Sequence, residues 1–331
     1  MTRFWFLATL LVLAACGSDS KAAGASDSEP TSGTPAASTS AVLPEGVEAI
    51  SLMGGELRAP TFPDDVRARY EENLAAAQRA HDAAPQDADS IIWLGRRTAY
   101  LGRYREAIDI YTRGIELHPE DARLYRHRGH RYVSVREFDR AIEDFRRAVM
   151  LIAGTEDRVE PDGLPNARGI PTSTLHFNIW YHLGLAHYLL GDLEGALEAW
   201  QACMGVSRND DSRVATAYWL NNTMRRLGLV ERADDLLSWV DTNLDVIEST
   251  AYLDVLLLHL GDRTPEDLLG PSGTDATLQS TTSGYGVAMW HFVNGRPDEA
   301  EELMERVLTN VDQWAAFGYI ASEADLVRMR E

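Results

Sequence analysis

The chain has 331 residues, with 45% hydrophobic content and a formal net charge of −20 at a pI near 4.8. That is room for one or two domains with a sizeable core, and a field of that sign repels phosphate backbones, which argues against nucleic-acid binding. Lys21 is the only lysine, in a low-complexity stretch, so the folded part has no lysine for a phosphate loop, a Schiff base or pyridoxal phosphate.

The N-terminus reads MTRFWFLATLLVLAACGSDS. Arg3 precedes an apolar run, Phe4 to Ala14, that is short of the about 20 residues needed to span a bilayer. It closes on Leu13-Ala14-Ala15-Cys16. This resembles the bacterial lipoprotein signal, in which a Leu and two small residues precede a Cys. The resemblance implies that residues 1–15 are a signal peptide cut before Cys16. Cys16 would then carry a diacyl group and an acylated amine, a stable anchor where a single chain would not suffice. Gly17 rather than Asp follows, which the family's sorting pattern associates with the outer membrane, facing the periplasm, in a Gram-negative cell. A Gram-positive host would display a cell-surface lipoprotein. Cys203, the second cysteine, then has no disulfide partner and is expected to be a buried free thiol.

Residues 16–45 form a Ser, Ala, Thr, Gly and Pro-rich tether with too little apolar surface to offset ordering entropy. The stretch 43–62 has apolar residues punctuated by Gly and Pro and is expected to pack as an irregular arm on the first helices. From about residue 63 the period is helical. A lone helix ends near Pro85, with Asp64 or Asp65 as its expected N-cap.

An internal repeat follows. From Ala88 as position 1, Leu94 and Gly95 fall at positions 7 and 8, Gly102 at 15, Tyr104 at 17, Ala107 at 20, Tyr111 at 24, Gly114 at 27 and Pro119 at 32. From Ala122, Gly129, Phe138, Ala141, Phe145 and Ala148 fall at 8, 17, 20, 24 and 27. From Phe177, Gly184, Gly191, Leu193, Ala196, Trp200 and Cys203 repeat the series. Small residues at 8, 20 and 27 let paired helices approach, large ones fill the gaps, and the glycine at 15 makes the turn. This pattern is similar to the 34-residue tetratricopeptide repeat (TPR). Clear repeats cover about 88–121, 122–153 and 177–210, degenerate ones 214–310, and a capping helix 313–330 with Trp314, Phe317, Ile320, Ala324 and Val327 on one face. The domain thus spans 46–331. The resemblance implies an all-α solenoid, a right-handed superhelix of antiparallel helix pairs with a concave groove.

By that resemblance the groove is written at helix-A positions that give Arg96, Tyr100, Arg123, Arg126, His130, Tyr181 and Tyr188. Guanidinium suits bidentate carboxylate capture and aromatic rings add contact area. The pattern differs from the family's Lys/Asn carboxylate clamp. Intramolecular pairing with Asp89, Glu116, Glu120 or Asp121 is the competing account of these arginines. The insertion Gly154–Ser173 is long for a repeat array; it is either a lid over the groove or a tolerated surface excursion. His127 and His130 share a helical face, yet no carboxylate completes a metal set, so no metal or cofactor is expected. No catalytic motif is present, and an enzyme is not expected. The resulting expectation is a lipid-anchored scaffold that binds a protein or peptide partner in its groove at the cell envelope. The alternative is an envelope receptor for a small anionic or glycan ligand, held by the Arg/Tyr groove and the 154–173 loop.

Overall fold

The computed structural model describes residues 43–269 and 278–331. The expected signal peptide, Cys16 and the expected tether up to residue 42 lie outside the described residues. The first described element is a two-stranded antiparallel hairpin, β1 (Val47–Ile50) with β2 (Glu56–Arg58). The stretch read as an irregular arm is therefore partly ordered, with Ala49 and Leu57 entering the core. It does pack on the first helices: Glu48 accepts from Arg105 N at 2.8 Å. Ala59 and Pro60 lie so close to Gly102 that a Cβ there would strike them.

The rest is helical. Helix α1 (Asp64–Ala83) starts after Pro63, which makes no side-chain cap; Asp64 and Asp65 sit inside its first turn instead. There they complement the positive end of the helix dipole rather than capping it. Three regular pairs follow: α2 (Ala88–Tyr100) with α3 (Tyr104–Leu117), α4 (Ala122–Ser134) with α5 (Phe138–Ile152), and α6 (Leu175–Leu190) with α7 (Leu193–Val206). Less regular pairs continue the stack: α8 (Asp210–Arg226) with a short α9 (Val230–Leu236), α10 (Thr250–Leu260) with α11 (Pro265–Leu269), and α12 (Leu278–Val293) with α13 (Pro297–Leu308). Helix α14 (Phe317–Arg330) closes the chain.

Close packing explains the repeat's small residues. A Cβ on Gly129 would lie 2.9 Å from the Phe145 ring, and one on Gly184 would lie 2.6 Å from Trp200. Gly95 and Tyr111 form the same pair in the first unit. Position 8 thus receives the face of the aromatic at position 24. Ala107, Ala141, Ala196, Ala233 and Ala300, all at position 20, are wholly buried. In the fourth unit Asn221 replaces the glycine and Leu237 the aromatic, and the partner helix shrinks to α9.

The turn position carries the backbone constraint. Gly102, Gly191, Gly228, Gly261 and Gly295 have φ between +73° and +91°. In the second unit the residue there is Arg136, at φ +66°, the one non-glycine with positive φ among the described residues. A left-handed residue of this kind costs about 1–2 kcal/mol. Here the side chain offsets it: Arg136 Nε is 2.9 Å from Glu323 Oε2 and Arg136 Nη2 donates to Trp314 O at 2.8 Å.

Those contacts reveal where α14 lies. A capping helix buries one face and shows the other to water, which is the expectation for 313–330. Instead Gly318 to Leu326 are buried all round. Helix α14 packs on α6 and α12 as well as on its neighbour α13. Its Asp325 accepts from Tyr285 at 2.7 Å and sits 3.0 Å from Arg226, while Tyr188 shares a 2.7 Å hydrogen bond with Tyr285. The preceding segment reaches the N-terminal arm: Trp314 Nε1 donates to Arg58 O at 2.6 Å, and Asp312 accepts from Thr61 N at 3.0 Å.

Candidate peptide-binding face

The A-helix face of α2, α4 and α6 brings Arg96, Tyr100, Arg126, His127 and Asn178 towards the insertion. The insertion lies directly on this face. Its two legs pair with each other, Leu175 N donating to Arg158 O at 2.9 Å and Glu160 N to Ser173 O at 3.3 Å. The first leg then runs onto the helices and bends at Gly163 and Leu164. Arg96 Nη1 donates to Pro161 O at 2.7 Å and Arg97 Nη1 to Gly163 O at 2.9 Å. Gly163 rests directly on Tyr100, where any Cβ would collide with the phenol. Arg96 is itself stacked over Trp93, its guanidinium carbon 4.5 Å from the ring centre.

Just before these carbonyls, at Glu160, the loop inserts a carboxylate. Glu160 Oε2 lies 3.1 Å from Arg126 Nε and accepts from Asn178 Nδ2 at 2.9 Å; Glu160 Oε1 lies 3.5 Å from His127 Nε2. Arg126 and Glu160 side chains are 10% and 9% exposed, so this is a buried pair. Arg126 Nη1 donates to His127 Nδ1 at 3.0 Å, which places the imidazole proton on Nε2, facing Glu160. Burial, and then the Arg126 charge, hold His127 well below the usual imidazole range. Burial dominates for His130 and His182 too. All three rings are therefore neutral donors or packing surfaces at neutral pH.

The outer end of the loop is fixed separately. Arg168 pairs with Asp245 at 2.6 Å, and Asn166 and Thr172 donate to Glu248 at 2.6 and 2.7 Å.

The sequence-derived face divides accordingly. Arg96, Tyr100 and Arg126 converge on one loop segment. Arg123 turns away to Asp121, 2.5 Å distant, and to Asp89, two of the acids named as competitors for it. His130 stacks on His182 with ring centres 4.3 Å apart and on Phe317 of α14; it borders a cavity of about 470 Å³ whose wall includes Tyr252 and Phe317. Tyr181 receives Trp219 Nε1 at 2.8 Å and donates to Tyr252 at 3.2 Å. Tyr188 is wholly buried under α12 and α14. Tyr181 and Tyr188 thus belong to the core, because α14 fills that part of the groove. Glu160, Arg97 and Asn178 complete the face; Glu160 escaped notice because loop residues carry no periodicity. The loop takes the place that a small anionic or glycan ligand would need beside Arg96 and Arg126. Cys203 is buried against Thr216 at 3.2 Å, and burial pushes its thiol up to about 12.

Stacked antiparallel helix pairs whose A helices hold a loop segment define a helical-repeat protein-interaction scaffold. Residues 94–154 and 177–210 match tetratricopeptide-repeat family models, so the chain contains tetratricopeptide repeats over those residues. No curated protein matches the sequence significantly. Solved structures similar to it include YrrB, described as a TPR protein with an unusual peptide-binding site, at 15% identity over 72% of this chain and 93% of that one, TM-score 0.40. MamA is similar at 18% identity over 52% and 88%, TM-score 0.40. The Cut9–Hcn1 hetero-tetramer of the APC/C is similar at 15% identity over 73% and 37%, TM-score 0.45.

Proposed function

We propose that this chain is a lipid-anchored scaffold of the bacterial cell envelope, without catalytic activity, that binds a protein or peptide partner on its A-helix face. Acyl chains on Cys16 hold it to the membrane, at the outer membrane facing the periplasm in a Gram-negative host, and residues 17–42 let the helical domain stand off from the lipid. The anchor reading rests on Leu13-Ala14-Ala15-Cys16 and on the Ser/Ala/Thr composition that follows it.

One observation carries the binding reading: the face already holds a polypeptide segment, a loop of this chain. Two arginines take alternate backbone carbonyls, at Pro161 and Gly163, and a third, with Asn178, takes the Glu160 carboxylate. Backbone carbonyls give affinity for any extended chain, and the buried carboxylate adds selectivity for an acidic residue. A partner's extended acidic segment offers the same groups and competes with the loop.

Two experiments test the two halves. Cys16→Ser should move the protein from the membrane to the soluble fraction; retention in the membrane would sink the anchor. Crosslinking in native envelopes should capture a partner with the unaltered chain and lose it with a folded Arg96→Glu variant. Equal capture by both would place the interface elsewhere.

A further inference from the structure

Away from the loop, α8, α12, α13 and α14 enclose a cleft of about 290 Å³. Its walls are apolar and deformable. Met289 and Met304 are buried in it, Met329 lines it, and Phe292 stands at its edge, 37% exposed. Unbranched thioethers adapt to irregular shapes, so such a wall accepts a flexible hydrocarbon.

The polar end is unbalanced. Arg226 and Arg328 both lean on a single carboxylate, Asp325, whose Oδ1 is 3.0 Å from Arg226 Nη1 and 2.7 Å from Arg328 Nη2. The other oxygen of Asp325 already accepts from Tyr285 at 2.7 Å. Two cations against one anion leave one positive charge in excess, inside a chain of net charge −20. In this group Arg328 Nε is buried without a hydrogen-bond acceptor, and Arg226 Nη1 meets Asp325 as an ion pair outside hydrogen-bond geometry, while Arg328 Nη1 donates to Leu189 O at 2.9 Å. Buried donors on charged groups are costly to leave unmade.

The geometry points to a binding site for a small amphipathic carboxylate: an unbranched hydrocarbon chain among the methionines, with its carboxylate on Arg226 and Arg328. One negative charge cancels the excess, and a planar carboxylate matches the guanidinium fork. The volume holds on the order of ten non-hydrogen atoms, the size of octanoate. A neutral chain of the same length fills the apolar wall but leaves the excess charge and the Arg328 Nε donor unmet. A short anion satisfies them but leaves the methionines against water. This site is independent of the peptide face and stands or falls without it.

The test is calorimetric titration of the full chain with sodium octanoate, beside octan-1-ol and sodium acetate. The expected result is one octanoate site, with octanol and acetate at least about tenfold weaker, the factor that one charge-assisted hydrogen bond supplies. Arg328→Gln and Phe292→Glu, the latter placing a like charge at the exposed edge, should each weaken octanoate by about tenfold or more with an unchanged helical circular-dichroism spectrum. Absence of octanoate binding to the folded chain overturns the proposal. So does equal binding of octanol, or octanoate binding that neither variant disturbs. A peptide ending in a leucine carboxylate that binds where octanoate does not would overturn it in favour of a protein C-terminus.

Discussion

The Arg136 guanidinium lies 2.9 Å from the Glu323 carboxylate, with the two side chains 3% and 0% exposed, and it reaches there from a backbone conformation that the other turns give to glycine. The second repeat thus accepts strain in its own turn to hold the last helix. Arg136→Gly removes strain of about 1–2 kcal/mol but leaves Glu323 buried without its cation, at about 3–5 kcal/mol. Net destabilisation of about 1–4 kcal/mol is expected in urea unfolding. A variant as stable as the original would show that the pair does not hold α14.

Glu160→Gln tests the loop. The substitution keeps the shape and an acceptor but removes the charge opposite Arg126, a buried cation that then has no counter-ion. A loss of about 2–4 kcal/mol follows if the loop stays docked. A smaller loss is expected if the segment lifts away and admits water to Arg126. Limited proteolysis separates these outcomes: cleavage between Gly154 and Ser173 should accelerate only if the loop lifts.

Two glycines in adjacent helices should respond in opposite directions to alanine. At Gly184 a methyl meets the Trp200 ring, and overpacking of about 1–3 kcal/mol outweighs the gain in helix propensity. At Gly205, within α7, nothing lies within 4 Å of the new methyl. Gly205→Ala should therefore stabilise by up to about 1 kcal/mol. Paired denaturation curves decide it; stabilisation of both would mean the glycine–aromatic contact is looser than its geometry.

The buried imidazoles set a pH dependence. His127 and His182 titrate in the folded state well below the ordinary value near 6.5, chiefly through burial and secondly through Arg126. His259 is pushed down to about 3, again by burial and then by Arg225. Below pH 6.5 the unfolded chain takes up protons that the folded chain refuses, so stability falls as the pH falls. Each such ring contributes about 1.4 kcal/mol per pH unit over that window. Unfolding free energies at pH 7.0 and 5.5 should differ in this direction, and His182→Phe should flatten the slope. A stability that rises on acidification from pH 7 would contradict the neutral assignment.

The regular part of this architecture was legible because its positions are limited by size. Gly184 opposite Trp200 is readable at a fixed spacing, since neither residue can change without the other. The basic face was legible in the same way, as Arg96 and Arg126 on the A helices of consecutive repeats. Its occupant was not, because Glu160 sits in an aperiodic insertion whose contacts follow no spacing rule. Helix α14 was misjudged for a related reason. Glu323 and Asp325 look like a solvent face until Arg136 and Arg226, remote in sequence, are found opposite them. Tyr188 carries the side chain expected of a groove residue, and only the position of α14 turns it into core.

The contact between the two ends of the domain changes how the molecule should come apart. An open array of repeats gains stability locally, frays from its ends, and tolerates the loss of a terminal unit. Here Trp314 is bonded to Arg58 across 256 residues of chain, so neither end is a free terminus from which fraying can begin. Closure of that kind waits for almost the whole domain to emerge from the ribosome, and its long loop must be closed before the contact is made. The expected consequence is a single sharp unfolding transition in place of a stepwise one. The repeat that binds the partner would then share the fate of the last helix, and a chain cut short after α13 would lose the stability of its first repeats as well as its last.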